Sequence, residues 1–113
     1  MTKTYYNWKP VLRSLAKSLE DAGCTLIGAC DGEETFETNS RKEIAEIVAS
    51  VDEGCIYVTT PDTPAGKRKV VFCVLGNDPE ETAADWTCDP AIDKGVDAFS
   101  AKWESRKCPT VER

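Results

Sequence analysis

Apolar residues recur at spacings of three and four in three stretches of the sequence, a pattern typical of amphipathic helices. The first stretch runs from Trp8 to Ala22, the second from Arg41 to Val51, and the third begins at Pro90. Their apolar faces are formed by Trp8, Val11, Leu12, Leu15, Leu19 and Ala22; by Ile44, Ala45, Ile47, Val48 and Val51; and by Ile92, Val96, Phe99 and Trp103.

Residues at the ends of these stretches support the helices. Gly23 suits the position that ends the first helix. Ser40 and Glu43 form a capping box at the start of the second, and Asp52-Glu53-Gly54 ends it. Asp89 is the expected N-cap of the third helix, and a proline is tolerated directly after it.

The segments between the helices predict four strands and a short fifth one. Asp31-Gly32 favours a two-residue hairpin turn, because both residues tolerate positive φ. The predicted strands are Cys24–Cys30, Glu33–Thr38, Cys55–Thr60, Lys67–Gly76 and, as the fifth, Thr82–Thr87.

Turn positions also predict which residues pair across the two hairpins. A turn at Asp31-Gly32 places Ile27 opposite Phe36. If the second hairpin is symmetrical about Pro64, the opposed pairs are Ile56 with Phe72, Val58 with Val70, and Cys55 with Cys73.

The element order αββαββ(β)α predicts an α+β fold, with a mainly antiparallel sheet of four or five strands and three helices on one face. The length of 113 residues fits a single domain over 1–113. We expect the polar tail to be frayed from about residue 106.

The fourth strand is apolar on both faces. In the symmetrical register, Val70, Phe72 and Val74 meet the helices. The other face then either lies under loops or forms an interface, with a homodimer as the simplest case. The predicted interface consists of Tyr57, Val71, Cys73 and Leu75.

Composition excludes several classes of function. The chain has no histidine, which removes His-dependent catalysis and His-ligated zinc. Its net charge of −6 argues against direct nucleic-acid binding and against anionic membranes. The N-terminal residues do not resemble a signal peptide, so we expect a cytoplasmic location and reduced thiols for the six cysteines.

The chain carries no catalytic or cofactor motif, such as a phosphate loop or a nucleophile elbow. The cysteine spacings lack the close pairs of zinc sites. We therefore expect a non-enzymatic protein without metal or cofactor. A carboxylate- or thiol-based enzyme remains an alternative.

Acidic residues are concentrated near the third helix. Seven acids and one base lie between Asp78 and Asp97. Asp89, Asp93 and Asp97 recur every four residues, so they lie along one helical face, which is either a solvated face or a docking surface. The candidate partner-binding residues are Asn77, Asp78, Asp85, Trp86, Asp89, Asp93 and Asp97.

The stretch Gly76–Glu81, followed by Asp85-Trp86-Thr87, resembles small bacterial proteins of phage or plasmid origin. This resemblance implies a defined loop conformation and no particular activity. By analogy, our leading hypothesis is a mobile-element protein that occupies a basic surface of a host defence or nucleic-acid-binding factor. The alternative is a small-molecule-binding protein, with its pocket between sheet and helices or at a dimer interface.

Overall fold

The computed structural model describes residues 4–63, 67–76 and 78–112. It shows an α+β fold with three helices and a five-stranded antiparallel sheet, as predicted. In chain order the elements are β1 (Thr4–Tyr6), α1 (Lys9–Asp21), β2 (Thr25–Cys30), β3 (Thr35–Glu37), α2 (Arg41–Ala49), β4 (Glu53–Thr59), β5 (Lys69–Val74), a 3₁₀ turn (Pro79–Glu81), β6 (Ala83–Trp86), α3 (Pro90–Trp103) and β7 (Thr110–Glu112).

Local chemistry accounts for the helix boundaries. The Ser40 hydroxyl accepts a hydrogen bond from the Glu43 amide at 3.2 Å, which confirms the cap of α2. The Asp89 carboxylate accepts one from the Ala91 amide at 2.8 Å at the start of α3. The end of α2 differs from the prediction, because Glu53 and Gly54 already belong to β4.

The main sheet has the strand order β3-β2-β4-β5-β6, and every neighbouring pair is antiparallel. A second sheet pairs β1 with β7 near the two chain ends. The frayed tail expected from about residue 106 stays a prediction, although β7 has a backbone partner there that the polar sequence did not indicate.

One face of the main sheet packs against the three helices. The largest side chains between the layers have no exposed surface, and the sheet contributes Leu26, Ile56, Val58 and Val71. All three predicted helical stripes contribute to this core, through Leu12, Leu15, Leu19, Ile44, Val48, Ile92 and Phe99. Burying these apolar surfaces is the main force that holds the two layers together.

The register of the β4–β5 hairpin differs by one residue from the symmetrical prediction. Ile56 pairs with Val71, not with Phe72, and Cys55 pairs with Phe72. Because side chains alternate along a strand, a slip of one residue exchanges the two faces. Val71 and Cys73 therefore point to the helices, whereas Val70, Phe72 and Val74 were wrongly predicted there and remain half-buried.

The first hairpin also has a longer loop than predicted. Cys30 pairs with Thr35 and Ala29 with Phe36, so Asp31 to Glu34 form a four-residue connection. The Asp31 carboxylate accepts hydrogen bonds from the amides of Glu33 and Glu34, at 3.0 and 2.8 Å. These hydrogen bonds from the loop amides to the Asp31 side chain favour the longer loop over a two-residue turn. The predicted Ile27–Phe36 pair is therefore wrong, and β2 is irregular between Leu26 and Gly28.

The β5 register can be tested with two matched truncations. Val71→Ala should lower the free energy of unfolding by roughly 2 kcal/mol, because it removes fully buried methyl groups and leaves a cavity. Val70→Ala, on the opposite face, should lower it by less than about 1 kcal/mol. Urea unfolding followed by circular dichroism measures both values. A larger effect at Val70 than at Val71 would contradict the register.

Candidate functional site

The predicted acidic stripe does not form one exposed surface, because Asp89 is only 4% exposed. Its carboxylate receives hydrogen bonds from the ammonium group of Lys69 and, at 2.8 Å, from the hydroxyl of Thr60. Asp89 also caps α3, so one side chain joins the start of this helix to the residue after β4 and to the first residue of β5. It is therefore a structural residue and is not available to a partner.

Electrostatics agree with this role. The ion-paired hydrogen bond from Lys69 lowers the pKa of Asp89 from its ordinary value of 3.8 to about 2. The Thr60 hydroxyl and the Ala91 amide act in the same direction, whereas burial opposes them. Sequence reasoning identified the N-cap but missed Lys69, which lies twenty residues away in the predicted solvated run Lys67-Arg68-Lys69.

The other predicted partner residues are divided among different surroundings. Asp93 is half-buried and accepts a hydrogen bond from the Trp86 indole at 2.7 Å, and the Trp86 side chain packs against the core. Asp78, Asp85 and Asp97 are exposed. Asn77 lies outside the described residues.

The predicted dimer interface is contradicted for two of its four residues. Val71 and Cys73 have no exposed surface and lie between the sheet and the helices. Leu75 packs partly against the same core, just beyond the end of β5. Tyr57 is only 9% exposed, but it lies on the other face of the sheet. The wrong assignment followed from the predicted β4–β5 register, which differs by one residue from the observed one.

The face of the main sheet away from the helices, here called the open face, carries apolar side chains at its centre. Val70, Phe72 and Val74 alternate with the buried residues of β5, and Cys55 and Tyr57 lie beside them on β4. Most of them are half-buried, and in the part of the chain that the structure describes the three helices pack on the opposite face. An antiparallel sheet with one solvated face usually alternates between apolar and polar residues, so this face is unusual.

A groove of about 580 Å³ crosses one part of the open face. Its lining includes Ile27, Thr35, Glu37, Tyr57, Thr59 and Arg68. The Arg68 guanidinium lies 3.9 Å from the centre of the Tyr57 ring, a cation–π contact that holds a positive charge on this face. The alternative of a pocket between sheet and helices is not favoured, since packed side chains occupy that layer.

Carboxylates gather at one end of the main sheet, where β2 and β5 end and β4 and β6 begin. Three segments meet there: the turn after β2, the residues at the start of β4, and the turn after β5. A Cβ at Gly32 would lie 3.5 Å from the Glu53 carbonyl oxygen, and the Leu75 amide donates a hydrogen bond to the Asp52 carbonyl at 2.8 Å. We call these carboxylates the acidic rim; they belong to Asp31, Glu33, Glu34, Asp52, Glu53, Asp78, Glu80 and Glu81.

Among the described residues, no lysine or arginine forms an ion pair with the acidic rim. None of its three segments contains a lysine or arginine. Within the described ranges, the ion pairs join Lys17 to Asp21, Arg41 to Glu20 and Lys69 to Asp89, and none involves the rim.

The opposite end of the sheet carries the bases. Arg41 and Lys42 open α2, and Lys67 and Arg68 precede β5. The sheet layer therefore has a charge gradient along its strands. Sequence reasoning recognised separate acidic and basic regions but placed the acidic one on α3, because it did not use the antiparallel topology that gathers alternate turns at one end.

Burial opposes activation of the buried cysteines as nucleophiles. Burial raises the pKa of the Cys24 thiol to about 11 and raises that of Cys73 further. Among residues 4–63, 67–76 and 78–112, no cluster of three metal-binding side chains has the geometry to hold an ion. In the same ranges, no helix is long and apolar enough to cross a membrane.

Cys55 has a different neighbour from the one predicted. It pairs directly with Cys30 on β2, whereas Cys73 lies on the opposite face beside Gly54. Opposed residues on antiparallel strands have Cα atoms about 4.5–5.5 Å apart, which lies within the range for a disulfide. Both thiols are free and half-buried, and burial, followed by the neighbouring Cys30, raises the pKa of Cys55.

The Lys69–Asp89 ion pair predicts an acid dependence of stability. Because the pKa of Asp89 is about 2 in the folded protein and 3.8 ordinarily, its stabilising effect is present above about pH 4. It is lost as the pH falls through about 2. Asp89→Asn should lower the thermal unfolding temperature by several degrees at pH 7, and by less near pH 2. The exposed control Asp97→Asn should change it little at either pH, and equal effects of the two variants would contradict the assignment.

Mild oxidation should join Cys30 to Cys55. In a Cys88→Ser background, which removes the exposed thiol, diamide treatment should give one intramolecular disulfide, identified by peptide mapping. Formation should accelerate as the pH rises, because a thiolate is the attacking species and the pKa of Cys55 is raised. Cys30→Ser should abolish the product, while Cys73→Ser should not. A Cys55–Cys73 product would contradict the observed register.

Comparison with known proteins adds no relative to this description. No family model, curated protein or solved structure matches the chain. The resemblance of the Gly76–Glu81 and Asp85–Thr87 stretches to small phage and plasmid proteins therefore stays a prediction.

Proposed function

We propose that this protein is a non-enzymatic binding module, whose acidic rim docks on a basic surface of another protein. The observation that carries the proposal is the charge of the rim: eight carboxylates from three adjoining segments that contain no base and that form no ion pair among the described residues. Such a surface attracts a positively charged partner and accelerates encounter with it.

The rim replaces most of the α3 stripe as the proposed contact. Asp89 and Asp93 are engaged by Lys69 and by Trp86, so a partner would have to break internal bonds to reach them. Six of the eight rim residues are exposed, and Asp31 and Glu80 are half-buried. Asp78 belongs to both sets, whereas Asp85 pairs with Phe72 and lies on the open face.

The chemistry of the partner follows from the rim. Carboxylates on turns are acceptors, so the complementary surface is rich in arginine and lysine. A nucleic-acid-binding surface of a cytoplasmic host protein has this character, and the phage or plasmid hypothesis would place the partner among host defence or regulatory factors. Direct binding of nucleic acid is disfavoured, because the rim would repel phosphates.

Two charge-matched triple variants test the proposal. Glu33→Gln, Asp52→Asn and Glu81→Gln neutralise exposed rim residues. Glu46→Gln, Asp62→Asn and Glu104→Gln remove the same charge from exposed positions elsewhere. A partner is first captured from the native host at low salt and identified by mass spectrometry, and its affinity for each variant is then measured by calorimetry.

The rim variant should weaken binding by about tenfold or more at low salt and reduce the salt dependence. The control triple should change the affinity by less than about threefold. Equal weakening by both triples would show a net-charge effect and contradict the rim. Weakening by Asp85→Asn with Asp97→Asn, but not by the rim triple, would instead favour the exposed remainder of the predicted stripe.

A further inference from the structure

The open face has the composition of an interface core. Its half-buried apolar centre on β4 and β5, which includes Cys55, Val70, Phe72 and Val74, is bordered by charged and hydroxyl side chains. An apolar centre with a polar border is the usual arrangement in protein contacts. The acidic rim does not explain this centre, because electrostatic docking needs no apolar surface.

Charge is distributed unevenly along this face. Glu53, exposed at the rim end, pairs with Val74. Arg68, at the other end, directly precedes Lys69, which pairs with Val58, and its guanidinium is held over Tyr57. Glu53 on β4 and Arg68 directly before β5 therefore lie at opposite ends of these two neighbouring strands, with the apolar centre between them.

We propose that the open face binds a second copy of this chain, with the two sheets face to face and their strands running in opposite directions. A two-fold axis across the strands produces this arrangement. When the axis passes between the Cys55–Phe72 pair and the Tyr57–Val70 pair, Phe72 lies over Val70 of the other copy. Arg68 then lies at the level of Glu53 of the other copy. The two-fold axis generates the same contact between Glu53 of the first copy and Arg68 of the second.

Charge selects this orientation over the other face-to-face arrangement. A two-fold axis along the strands would place the acidic rim of each copy against the acidic rim of the other, and like charges in contact oppose binding. The axis across the strands brings the acidic end of each open face to the basic end of the other. The turn residues Glu33, Asp52 and Glu81 lie beyond the strand ends, so the dimer would present two acidic rims.

The size of the face predicts a weak dimer. With strands about 4.8 Å apart and about 3.3 Å per residue, the five strands cover roughly 400 Å² on each copy. A total of roughly 800 Å² lies below the ~1,200 Å² of stable specific interfaces and in the range of weak, transient ones, so assembly should depend on concentration. Salt should weaken it, since the proposed Arg68–Glu53 contacts lie at the edge of the interface.

Charge exchange in the purified chain tests the proposal. Sedimentation velocity under reducing conditions, from micromolar to millimolar concentration, should show a monomer–dimer equilibrium for the parent. Arg68→Glu and Glu53→Arg, each alone, should raise the dissociation constant about tenfold or more, because each turns two attractive contacts into repulsive ones. The double variant should restore the parent value, since it reverses both partners. Lys42→Glu is the control off this face and should leave assembly unchanged.

Several outcomes would overturn the proposal: a parent that is monomeric at every concentration, single variants that dimerise like the parent, or a double variant that fails to recover. Circular dichroism checks that each variant folds. If Arg68→Glu does not fold, Arg68→Gln and Phe72→Ser replace it, and both should weaken the dimer. No partner protein is present and the rim triple keeps Glu53 and Arg68, so this result is independent of the proposed function.

Discussion

The pairing of β4 with β5 is the interaction on which the rest of the structure depends. It places Ile56 beside Val71 and so directs one set of β5 side chains to the helices and the other to the open face. Because the side-chain period of a strand is two, no intermediate register is compatible with this core. A shift by one residue would bury Phe72 and expose Val71, and the layer of helices would face the wrong residues.

The Lys69–Asp89 ion pair reinforces this register at one end of the hairpin. Lys69 is the first residue of β5, and Asp89 caps α3, so a single contact ties the strand to the helix that follows β6. Thr60, at the end of β4, donates to the same carboxylate, which brings both strands of the hairpin into the network. A carboxylate that looks like part of an acidic surface is therefore an internal connection, and it reduces the acidic area that a partner can reach.

The same antiparallel topology produces the two surfaces to which we assign binding. Turns that are far apart in the chain, at Asp31, Asp52 and Asp78, gather at one end of the sheet and form the acidic rim. Between the rim and the basic end, the open face presents apolar residues that no helix covers. The two proposals share only Glu53, and they are compatible, because a face-to-face dimer leaves the turn carboxylates at its two ends.

The sequence by itself determined the fold class, the helices and a main sheet of four or five strands, and the structure decided for five. These features follow from local periodicity and capping, as the stripe on α1 and the Ser40 cap show. Tertiary structure alone decided which face of β5 is buried, which thiol lies beside Cys55, and which carboxylates are engaged. These outcomes depend on loop geometry and on contacts between residues far apart in the chain, such as Lys69 with Asp89. Local patterns do not encode such contacts, and a strand that is apolar on both faces gives no sign of which one is buried.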